Sequence, residues 1–423
     1  MTVPIEPTEA CARALDRDDA LAGFRDRFYL LPDTIYMDGN SLGLLSRDAE
    51  ATLLETLDSW RTRGVGGWFD GDCAWLDCAE EVGGLSAKMM GAAADQVIHS
   101  ATTTTNIHTL VASLYRPVGR RSRILADELN FPSDLYALKG QLQLRGREVA
   151  QDLLLVPSED GRTLDEETIA ARFTDEVAMA WLPSVLYRSG QLLDMEYLTE
   201  RAHAAGVLIG FDCCHSAGIL PHELDRWGVD CAVWCGYKYL NSGPGASAFL
   251  YVNRRHFDKE PVLAGWFGNR RETMFDMNPE FDPRLDAGKW QVSSPGILGS
   301  STLRGSLAMI NEAGIDRIRA KSLAMTSYLM ALVDTLLAAP PCSFSIGSPR
   351  SDRRRGGHVA LERRTHADRI CAALIERGVV PDYRPPNVIR ICPSPLYGTF
   401  HEIWQTVSHL KSIIDDAEHE TAP

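Results

Sequence analysis

A lysine follows a short apolar run in the middle of the chain. Lys238 comes just after Cys231–Cys235 and precedes a turn rich in glycine and proline at residues 241–245. Lysine is seldom buried without a reason, and a desolvated amine has a lowered pKa, so its lone pair can form a Schiff base. A lysine at a strand end can equally extend to solvent, so this segment alone leaves both interpretations open.

An acid and a histidine lie upstream of that lysine. Asp212 ends the apolar run 207–211, and the carboxyl ends of strands are where α/β sheets bind ligands. A carboxylate there can hold the pyridine nitrogen of pyridoxal 5′-phosphate (PLP) protonated, which makes the ring an electron sink. His215 could flank the ring or orient the carboxylate. A lone acid at a strand end is more often a cap, but with Lys238 the pattern predicts a PLP site.

Four threonines at residues 102–105 separate a predicted strand, Val97–Ser100, from a predicted helix at 107–115. Backbone N–H groups and hydroxyls at a helix N-terminus bind anions. Thr103 and Thr104 are therefore candidates for the cofactor phosphate. Threonines at a helix start are also good caps, which is the alternative interpretation.

Two further segments carry candidate residues. Phe131 precedes Pro132 after the predicted strand 122–126, and its ring could stack on a cofactor or plug the base of a loop. Arg390 lies within an apolar strand at 388–392, where it needs an anionic partner. Its planar fork suits the α-carboxylate of an amino acid. An internal ion pair with an Asp or Glu is the equal alternative.

The elements that must position these side chains follow from the apolar pattern. Continuous apolar runs indicate strands buried on both faces, and an amphipathic helix at 197–205 between two of them indicates an α/β domain with a mostly parallel sheet. The predicted central strands are 122–126, 177–182, 207–211, 231–235 and 246–252.

A second, smaller α+β unit is predicted after residue 305. It begins with a long helix at 316–339. Short strands are predicted at 344–346, 358–361 and 388–392, and helices at 366–377 and 400–417. The pattern therefore predicts a boundary between a large and a small domain near residue 305.

Composition excludes several classes of protein. The 423 residues, 45% of them hydrophobic, can fill two cores. A formal net charge of −14 argues against a nucleic-acid surface, and the basic run 350–364 is typical of a solvated loop or strand edge. No apolar stretch predicts a signal peptide or a membrane span. The ten cysteines show no zinc spacing, so we expect reduced thiols, no metal and a cytoplasmic location.

Together these segments resemble the kynureninase branch of the fold type I PLP enzymes, over nearly the whole chain and in the family's order. The matching segments are 36–43, 131–134, Asp212 with His215, Tyr237-Lys238, Gly265-Trp266, and Arg390 followed by Pro393 and Pro395. Any one motif is weak, but six in register are specific.

The resemblance implies the fold type I architecture. An N-terminal segment, 1–60, would pack on the small domain, a large PLP-binding domain with a mostly parallel sheet of the seven-stranded type would span 61–305, and a small C-terminal α+β domain would span 306–423.

The resemblance also implies a role for each matching residue. Lys238 would hold the cofactor and later move the Cα proton, and Asp212 would pair with the pyridinium nitrogen. Tyr237 is implied as a proton donor or acceptor. The implied cofactor-binding residues are Thr103, Thr104, Phe131, Pro132, Ser133, Asp134, Asp212, His215, Tyr237, Lys238, Trp266 and Ser294.

Two of these positions imply a partner subunit. Trp266 and Ser294 match residues that reach the phosphate from the second subunit, which implies a homodimer with shared active sites. Arg390, Ser41 and Trp68 are the implied substrate-binding residues.

The implied reaction is hydrolysis of the Cβ–Cγ bond of L-kynurenine, 3-hydroxy-L-kynurenine or both, to anthranilate or 3-hydroxyanthranilate and L-alanine. Three positions depart from the family pattern. Leu186 stands where a polar residue, usually Asn, is expected, Pro183 where some members have a hydroxyl, and Ser294 where Asn or Thr is usual. A kynureninase-like enzyme for a ring-substituted kynurenine of a biosynthetic pathway is therefore the second interpretation.

Two other classes remain as alternatives. A cysteine desulfurase or selenocysteine lyase shares the fold and the lysine but needs a thiol on a loop opposite Lys238, and the candidates are Cys342 and Cys392. A catalytically dead PLP-fold protein is disfavoured, because it would have no physical reason to keep Lys238, Asp212, His215 and Arg390.

Overall fold

The computed structural model describes residues 6–71 and 74–420. The strands are β1 (Ile35–Tyr36), β2 (Val97–Ser100), β3 (Arg123–Asp127), β4 (Leu153–Val156), β5 (Val177–Pro183), β6 (Leu208–Asp212), β7 (Cys231–Cys235), β8 (Ala248–Val252), β9 (Ser345–Ile346), β10 (Val359–Glu362), β11 (Val379–Val380), β12 (Asp382–Arg384) and β13 (Val388–Ile391). The α-helices are α1 (Glu9–Arg17), α2 (Arg47–Arg63), α3 (Cys78–Ala87), α4 (Thr103–Leu114), α5 (Pro132–Leu144), α6 (Val149–Asp152), α7 (Glu166–Ala170), α8 (Met195–Ala204), α9 (Ile297–Ala313), α10 (Ile315–Leu336), α11 (Ala367–Glu376) and α12 (Phe400–Asp415).

The large sheet has seven strands in the order β2-β8-β7-β6-β5-β3-β4. Only β8 runs against its two neighbours, β2 and β7, while the pairs β3–β4, β3–β5, β5–β6 and β6–β7 are parallel. The prediction of an α/β fold with a mostly parallel sheet is confirmed. The carboxyl ends of the parallel strands therefore meet along one edge, where Pro183 of β5 pairs with Asp212 of β6.

The central strands are buried on both faces, as their continuous apolar runs predict. Successive side chains of a strand point to opposite faces. In β7, Ala232 and Trp234 accordingly enter one hydrophobic core, while Cys231 and Val233 enter the other. Helices cover both sides, which is the layered arrangement expected of a mostly parallel sheet.

The small sheet is antiparallel, in the order β12-β13-β10-β9. Its core combines α10, α11 and α12 with two residues from the other end of the chain, Ala12 and Met37. Asp16 accepts hydrogen bonds from the Phe400 and His401 N–H groups at the start of α12, at 2.7 and 3.0 Å. The N-terminal helix is thus joined directly to the small domain.

The division of the chain after residue 305 stays a prediction. Helix α9 passes through that position, and its residues Leu303, Leu307 and Ile310 belong to a core of the large sheet. No helix in the described part of the chain is both long and apolar enough to cross a membrane.

The prediction that the basic run is solvated is wrong for one arginine. Arg355 is 1% exposed. Its guanidinium donates to the Thr326 Oγ1 at 3.0 Å and the Ser327 Oγ at 2.9 Å, and it pairs with the Asp352 carboxylate at 2.7 Å. These acceptors lie on α10 and a nearby turn, and only the packed domain brings them to the arginine.

Candidate active site

Lys238 lies on the turn that follows β7 and faces the histidine that follows β6. Its Nζ is 3.1 Å from the Nε2 of His215. Burial, and then the charge of Lys238, lower the pKa of His215 well below its ordinary value. The imidazole is therefore neutral, and its Nε2 can accept a hydrogen bond from the Lys238 amine. The His215 Nδ1 is buried and has no hydrogen-bond partner among the described residues.

A glycine of the N-terminal segment fixes the Lys238 turn from the other side. The Gly43 N–H donates to the Tyr237 carbonyl at 2.8 Å. A Cβ on Gly43 would lie 2.4 Å from the Lys238 carbonyl oxygen and 2.1 Å from the Asn241 Oδ1. Only a residue without a side chain allows this approach.

Replacing Gly43 by alanine is therefore expected to displace the Lys238 turn. We expect a loss of about 1–3 kcal/mol in the free energy of unfolding, typical of forced overpacking, and a fall of at least about tenfold in kcat/KM. Denaturant unfolding and steady-state kinetics measure the two effects. A Cβ added at Gly23 would have no neighbour within 4 Å, so Gly23→Ala is the matched control. Equal behaviour of the two variants would contradict the argument.

Two acids meet at the carboxyl edge of the sheet. The Oδ1 of Asp212 accepts the Cys214 N–H at 2.6 Å. Asp134, in the first turn of α5, is fully buried and accepts the Trp181 Nε1–H at 3.0 Å. Burial, and then the charge of Asp212, raise the pKa of Asp134 well above its ordinary value. Asp134 is thus a neutral acid beside Asp212.

The threonine run lies at the N-terminus of α4, which begins at Thr103 rather than at residue 107. Thr102 caps the helix, because its side chain accepts the Thr105 N–H at 3.3 Å. No described group accepts the N–H of Thr103 or Thr104. These two donors and their partly exposed hydroxyls face outward from the helix end, which is the chemistry of an anion site. The Thr103 Oγ1 is 3.6 Å from the Cys214 Sγ.

Aromatic residues stand beside this group. The ring of Phe131 is 41% exposed and contacts Tyr187 edge to face, with centroids 5.2 Å apart. Pro132 is exposed and Ser133 partly exposed in the first turn of α5. Tyr237 is partly buried beside Lys238, and burial raises the pKa of its phenol. Its hydroxyl therefore stays protonated at neutral pH.

Arg390 projects from β13 and is fully buried. Its Nε donates to the Asp382 Oδ2 at 2.5 Å, its Nη1 to the Tyr187 carbonyl at 2.6 Å, and its Nη2 to the Ser41 Oγ at 3.1 Å. The internal ion pair, one of the two alternatives for this arginine, is therefore present. Burial, the charge of Lys238 and the charge of Arg390 all lower the pKa of His215. We call the region around Lys238, His215 and Arg390 the cleft.

Trp68, Trp266 and Ser294 lie apart from this cleft. They line a largely apolar cavity of about 370 Å³ together with Val65, Phe69, Leu76, Phe267, Phe275, Val292 and Ser293. The Trp266 indole donates to the Met274 carbonyl at 2.7 Å. No hydrogen bond or ring contact among the described residues joins the three to Lys238, Asp212 or His215.

The remaining positions singled out in the sequence are buried. Leu186 and Pro183 both belong to the packed interior at the end of β5. Cys342 is 2% exposed and Cys392 is 0% exposed. The Cys392 thiol contacts the Tyr239 hydroxyl at 3.5 Å. Neither thiol is placed as a loop nucleophile.

The fold adds to the cleft three residues that the sequence did not single out. Asp382 pairs with Arg390 across β12 and β13. Tyr187 contributes its carbonyl and its ring, and the ring of His358 lies 5.9 Å from that of His215. The sequence signal that could have indicated Asp382 is the pair of alternating charges at 382 and 384. This signal identifies the partner of Arg390 only when the register of β12 and β13 is known.

Comparison with known proteins links the chain to one group of enzymes. The family model described as the kynureninase C-terminal domain matches residues 318–410. A kynureninase of Geobacillus thermodenitrificans is 50% identical over 416 residues, which cover 98% of this chain and 96% of that protein. A kynureninase of Bacillus anthracis is 48% identical over 417 residues, which cover 99% and 97%.

Solved structures share the fold at low sequence identity. The cysteine desulfurase of Thermococcus onnurineus superposes with a TM-score of 0.76 at 16% identity, covering 98% of this chain and 99% of that one. A C-DES mutant with glycine covalently linked to its PLP cofactor gives a TM-score of 0.77 at 16% identity, covering 92% and 98%. These similarities concern the fold.

Proposed function

The chain belongs to the kynureninase family, and on this premise we propose which of its residues carry out the reaction. It is a PLP-dependent hydrolase that cleaves the Cβ–Cγ bond of kynurenine, giving anthranilate and L-alanine. The observation that carries the assignment of residues is the contact between Lys238 and His215, with Asp212 at the end of the strand that precedes that histidine. The cysteine desulfurase alternative lacks an exposed thiol at either candidate position.

The residues of the cleft fit PLP. The aldehyde of PLP needs an amine with which to form a Schiff base, and Lys238 provides one. A pyridine nitrogen needs an acid, and Asp212 stands at the carboxyl edge of the sheet. A phosphate needs N–H donors, and those of Thr103 and Thr104 have no acceptor among the described residues. The partnerless Nδ1 of His215 is a further polar atom that a bound group would satisfy.

When bound, PLP supplies a ring that takes up negative charge from the substrate Cα. Lys238 would hold the cofactor through its amine and would also serve as the base that removes the proton from the substrate Cα. Asp212 would keep the pyridine nitrogen protonated, with Asp134 behind it. Phe131 would cover one face of the ring. Tyr237, which stays protonated, is suited to donate a proton to the γ-carbonyl oxygen of the substrate.

We assign the α-carboxylate of the substrate to Arg390. Of the groups that bind its guanidinium, Ser41 is neutral, partly exposed and bound at the longest of the three distances, 3.1 Å. A carboxylate that replaces this hydroxyl exchanges a neutral acceptor for a charged one, which strengthens the hydrogen bond. Substrate binding at Arg390 is thus compatible with its ion pair to Asp382.

A second acid near Arg390 predicts a pH dependence of KM. Burial raises the pKa of Asp38 to about 6, so this carboxyl is mostly neutral at pH 5 and mostly ionised at pH 7. The ionised form competes with the substrate carboxylate for the positive charge of Arg390. We expect KM to rise about threefold to tenfold between pH 5 and pH 7, with a midpoint near 6.

Steady-state kinetics across this range in Asp38→Asn provide the control. The variant should keep the low KM at both pH values. His215 and His358 do not explain the change, because burial lowers the pKa of His215 well below its ordinary value and that of His358 to about 3. A KM that does not change with pH in the parent enzyme, or that rises equally with pH in the variant, would contradict the role of Asp38.

The apolar cavity supports a homodimer with shared active sites. Val65, Phe69, Trp266 and Phe275 are between 44% and 78% exposed around it, and a large exposed apolar patch marks an interaction surface. We propose that a second copy covers this face, so that Trp266 and Ser294 reach the phosphate of the other subunit and Trp68 borders the aryl group of the substrate. The described cysteines are all free, which supports a cytoplasmic location.

Subunit complementation tests the shared site. Lys238→Ala and Trp266→Ala are each expected to have low activity alone. In an equal mixture of unfolded chains refolded together, half of the dimers are mixed, and each has one intact site, so activity should recover to about one quarter of the parent value. No recovery, with a dimer of normal mass, would show that Trp266 acts within its own subunit.

The substrate assignment is tested by one assay with kynurenine and 3-hydroxykynurenine side by side, following the fluorescence of the anthranilate product. Cleavage of either supports the assignment, and the ratio of kcat/KM gives the preferred ring. If neither is cleaved while the cofactor is bound normally, the activity on kynurenines is contradicted and ring-substituted analogues are the next substrates to compare.

A further inference from the structure

We propose that Asp382 is a positioning residue for substrate binding, which holds one edge of the Arg390 guanidinium so that the other edge faces the substrate carboxylate. The inference rests on the proposed function of Arg390. Asp382 would act only through that arginine and would not touch the substrate.

The contacts of the guanidinium divide into two edges. Along the first, Nε and Nη2 both contact the same oxygen of Asp382, the Oδ2. Along the second, Nη1 donates to the Tyr187 carbonyl and Nη2 to the Ser41 hydroxyl. The charged partner, Asp382, thus occupies one edge, and the neutral acceptors Tyr187 and Ser41 occupy the other. Because Ser41 is partly exposed, a substrate can approach the guanidinium along this second edge.

The fold gives Asp382 a fixed place. It lies directly opposite Arg390 in the register of β12 and β13, and its side chain is only 16% exposed. Side chains directly opposite on an antiparallel pair are close neighbours. The aspartate is therefore held by the sheet rather than by a flexible loop, and it can fix the direction of a long side chain.

A second arginine shares the same carboxylate oxygen. The Arg384 Nε donates to the Asp382 Oδ2 at 2.8 Å. While Asp38 is neutral, two guanidinium groups around one carboxylate leave one net positive charge, which the substrate carboxylate would neutralise. Without Asp382, the two arginines would repel each other, and Arg390 would lose the contact that orients it.

The test is Asp382→Asn, which keeps the shape and removes the charge. We expect KM for kynurenine to rise about 10- to 100-fold, the effect of a misplaced binding group, with kcat within about twofold. The dissociation constant of L-alanine, measured from the change in visible absorbance of the bound cofactor, should rise by a similar factor. The absorbance spectrum of the enzyme without amino acid should be unchanged.

A substrate analogue that lacks the carboxylate separates positioning from a general structural effect. For the decarboxylated amine, Asp382→Asn and the parent enzyme should have the same KM or dissociation constant. The variant Asp382→Glu keeps the acid, so its KM for kynurenine should rise less than that of Asp382→Asn. Asp334→Asn is the matched control, because Asp334 pairs with Arg350 at 2.6 Å on the surface of the same domain. That control should leave KM unchanged.

Three outcomes would overturn the proposal. A fall in KM would mean that Asp382 competes with the substrate for Arg390. An equal loss with the decarboxylated amine would mean a structural effect. A KM that stays unchanged in Asp382→Asn but rises in Arg390→Lys would remove Asp382 from the site and leave the role of Arg390 intact. An unchanged KM in Arg390→Lys would contradict the proposed role of Arg390 itself.

Discussion

Replacing Lys238 by alanine is expected to lower kcat/KM for kynurenine by about 10⁴-fold or more, because we propose that Lys238 provides both the amine that holds the cofactor and the base that moves the Cα proton. His215, 3.1 Å from the amine in the parent enzyme, cannot replace it as a covalent attachment. Product fluorescence measures the activity. Borohydride reduction followed by peptide mapping should label Lys238 in the parent enzyme and no lysine in the variant.

Lys259→Ala is the matched control. Lys259 is a surface residue paired with Asp258 at 2.9 Å, so its loss should leave kinetics and labelling unchanged. A label on any lysine other than 238 in the parent enzyme would falsify the central assignment. An unlabelled but fully folded Lys238→Ala variant that retained activity would do the same.

The second large effect is expected for Asp212→Asn. The amide cannot keep the pyridine nitrogen protonated, so the negative charge that forms at Cα is no longer stabilised. Loss of one such electrostatic interaction costs about 10²- to 10³-fold in kcat. The measurement is kcat, together with the visible absorbance of the bound cofactor, which should change because the ring has lost its proton.

Asp134→Asn separates the two acids. Asp134 is a neutral acid beside Asp212, and the amide is also neutral. Its replacement should therefore lower kcat much less, by about tenfold at most. If Asp134→Asn were as damaging as Asp212→Asn, Asp134 would be the residue that carries the charge, and the assignment of the two acids would have to be exchanged.

The central sheet and the residues at its carboxyl edge could be predicted from sequence because the signal is local. The run Cys231–Cys235 is apolar throughout and forms β7 with those bounds. Lys238 and Asp212 follow the apolar runs closely, so the strand positions also place the side chains. The prediction that α4 starts at 107 instead of Thr103 is wrong, because threonines favour both a turn and a helix cap, and sequence alone does not separate them.

The small-domain part of the cleft depends on pairing between distant segments. The apolar strand around Arg390 predicts that it needs an anion, but Asp382, Tyr187 and Ser41 become its partners only through the β12–β13 register and the packing of the two domains. The same holds for Arg355, whose acceptors lie on α10. The exposed side chains near Trp266 illustrate another limit, since no local sequence pattern identifies the second copy that we propose to cover them.

The joining of α1 to α12 has a consequence for synthesis of the chain on the ribosome. Asp16 and Phe400 are bonded across 384 positions, and Ala12 and Met37 fill a core otherwise built from residues beyond 324. At a translation rate of about 5–20 residues per second, the N-terminal helix emerges roughly 20 to 80 s before its binding surface. The large sheet can form during that interval, but the small-domain core closes only after translation is nearly complete. Until then, Ala12 on α1 has no core to pack into.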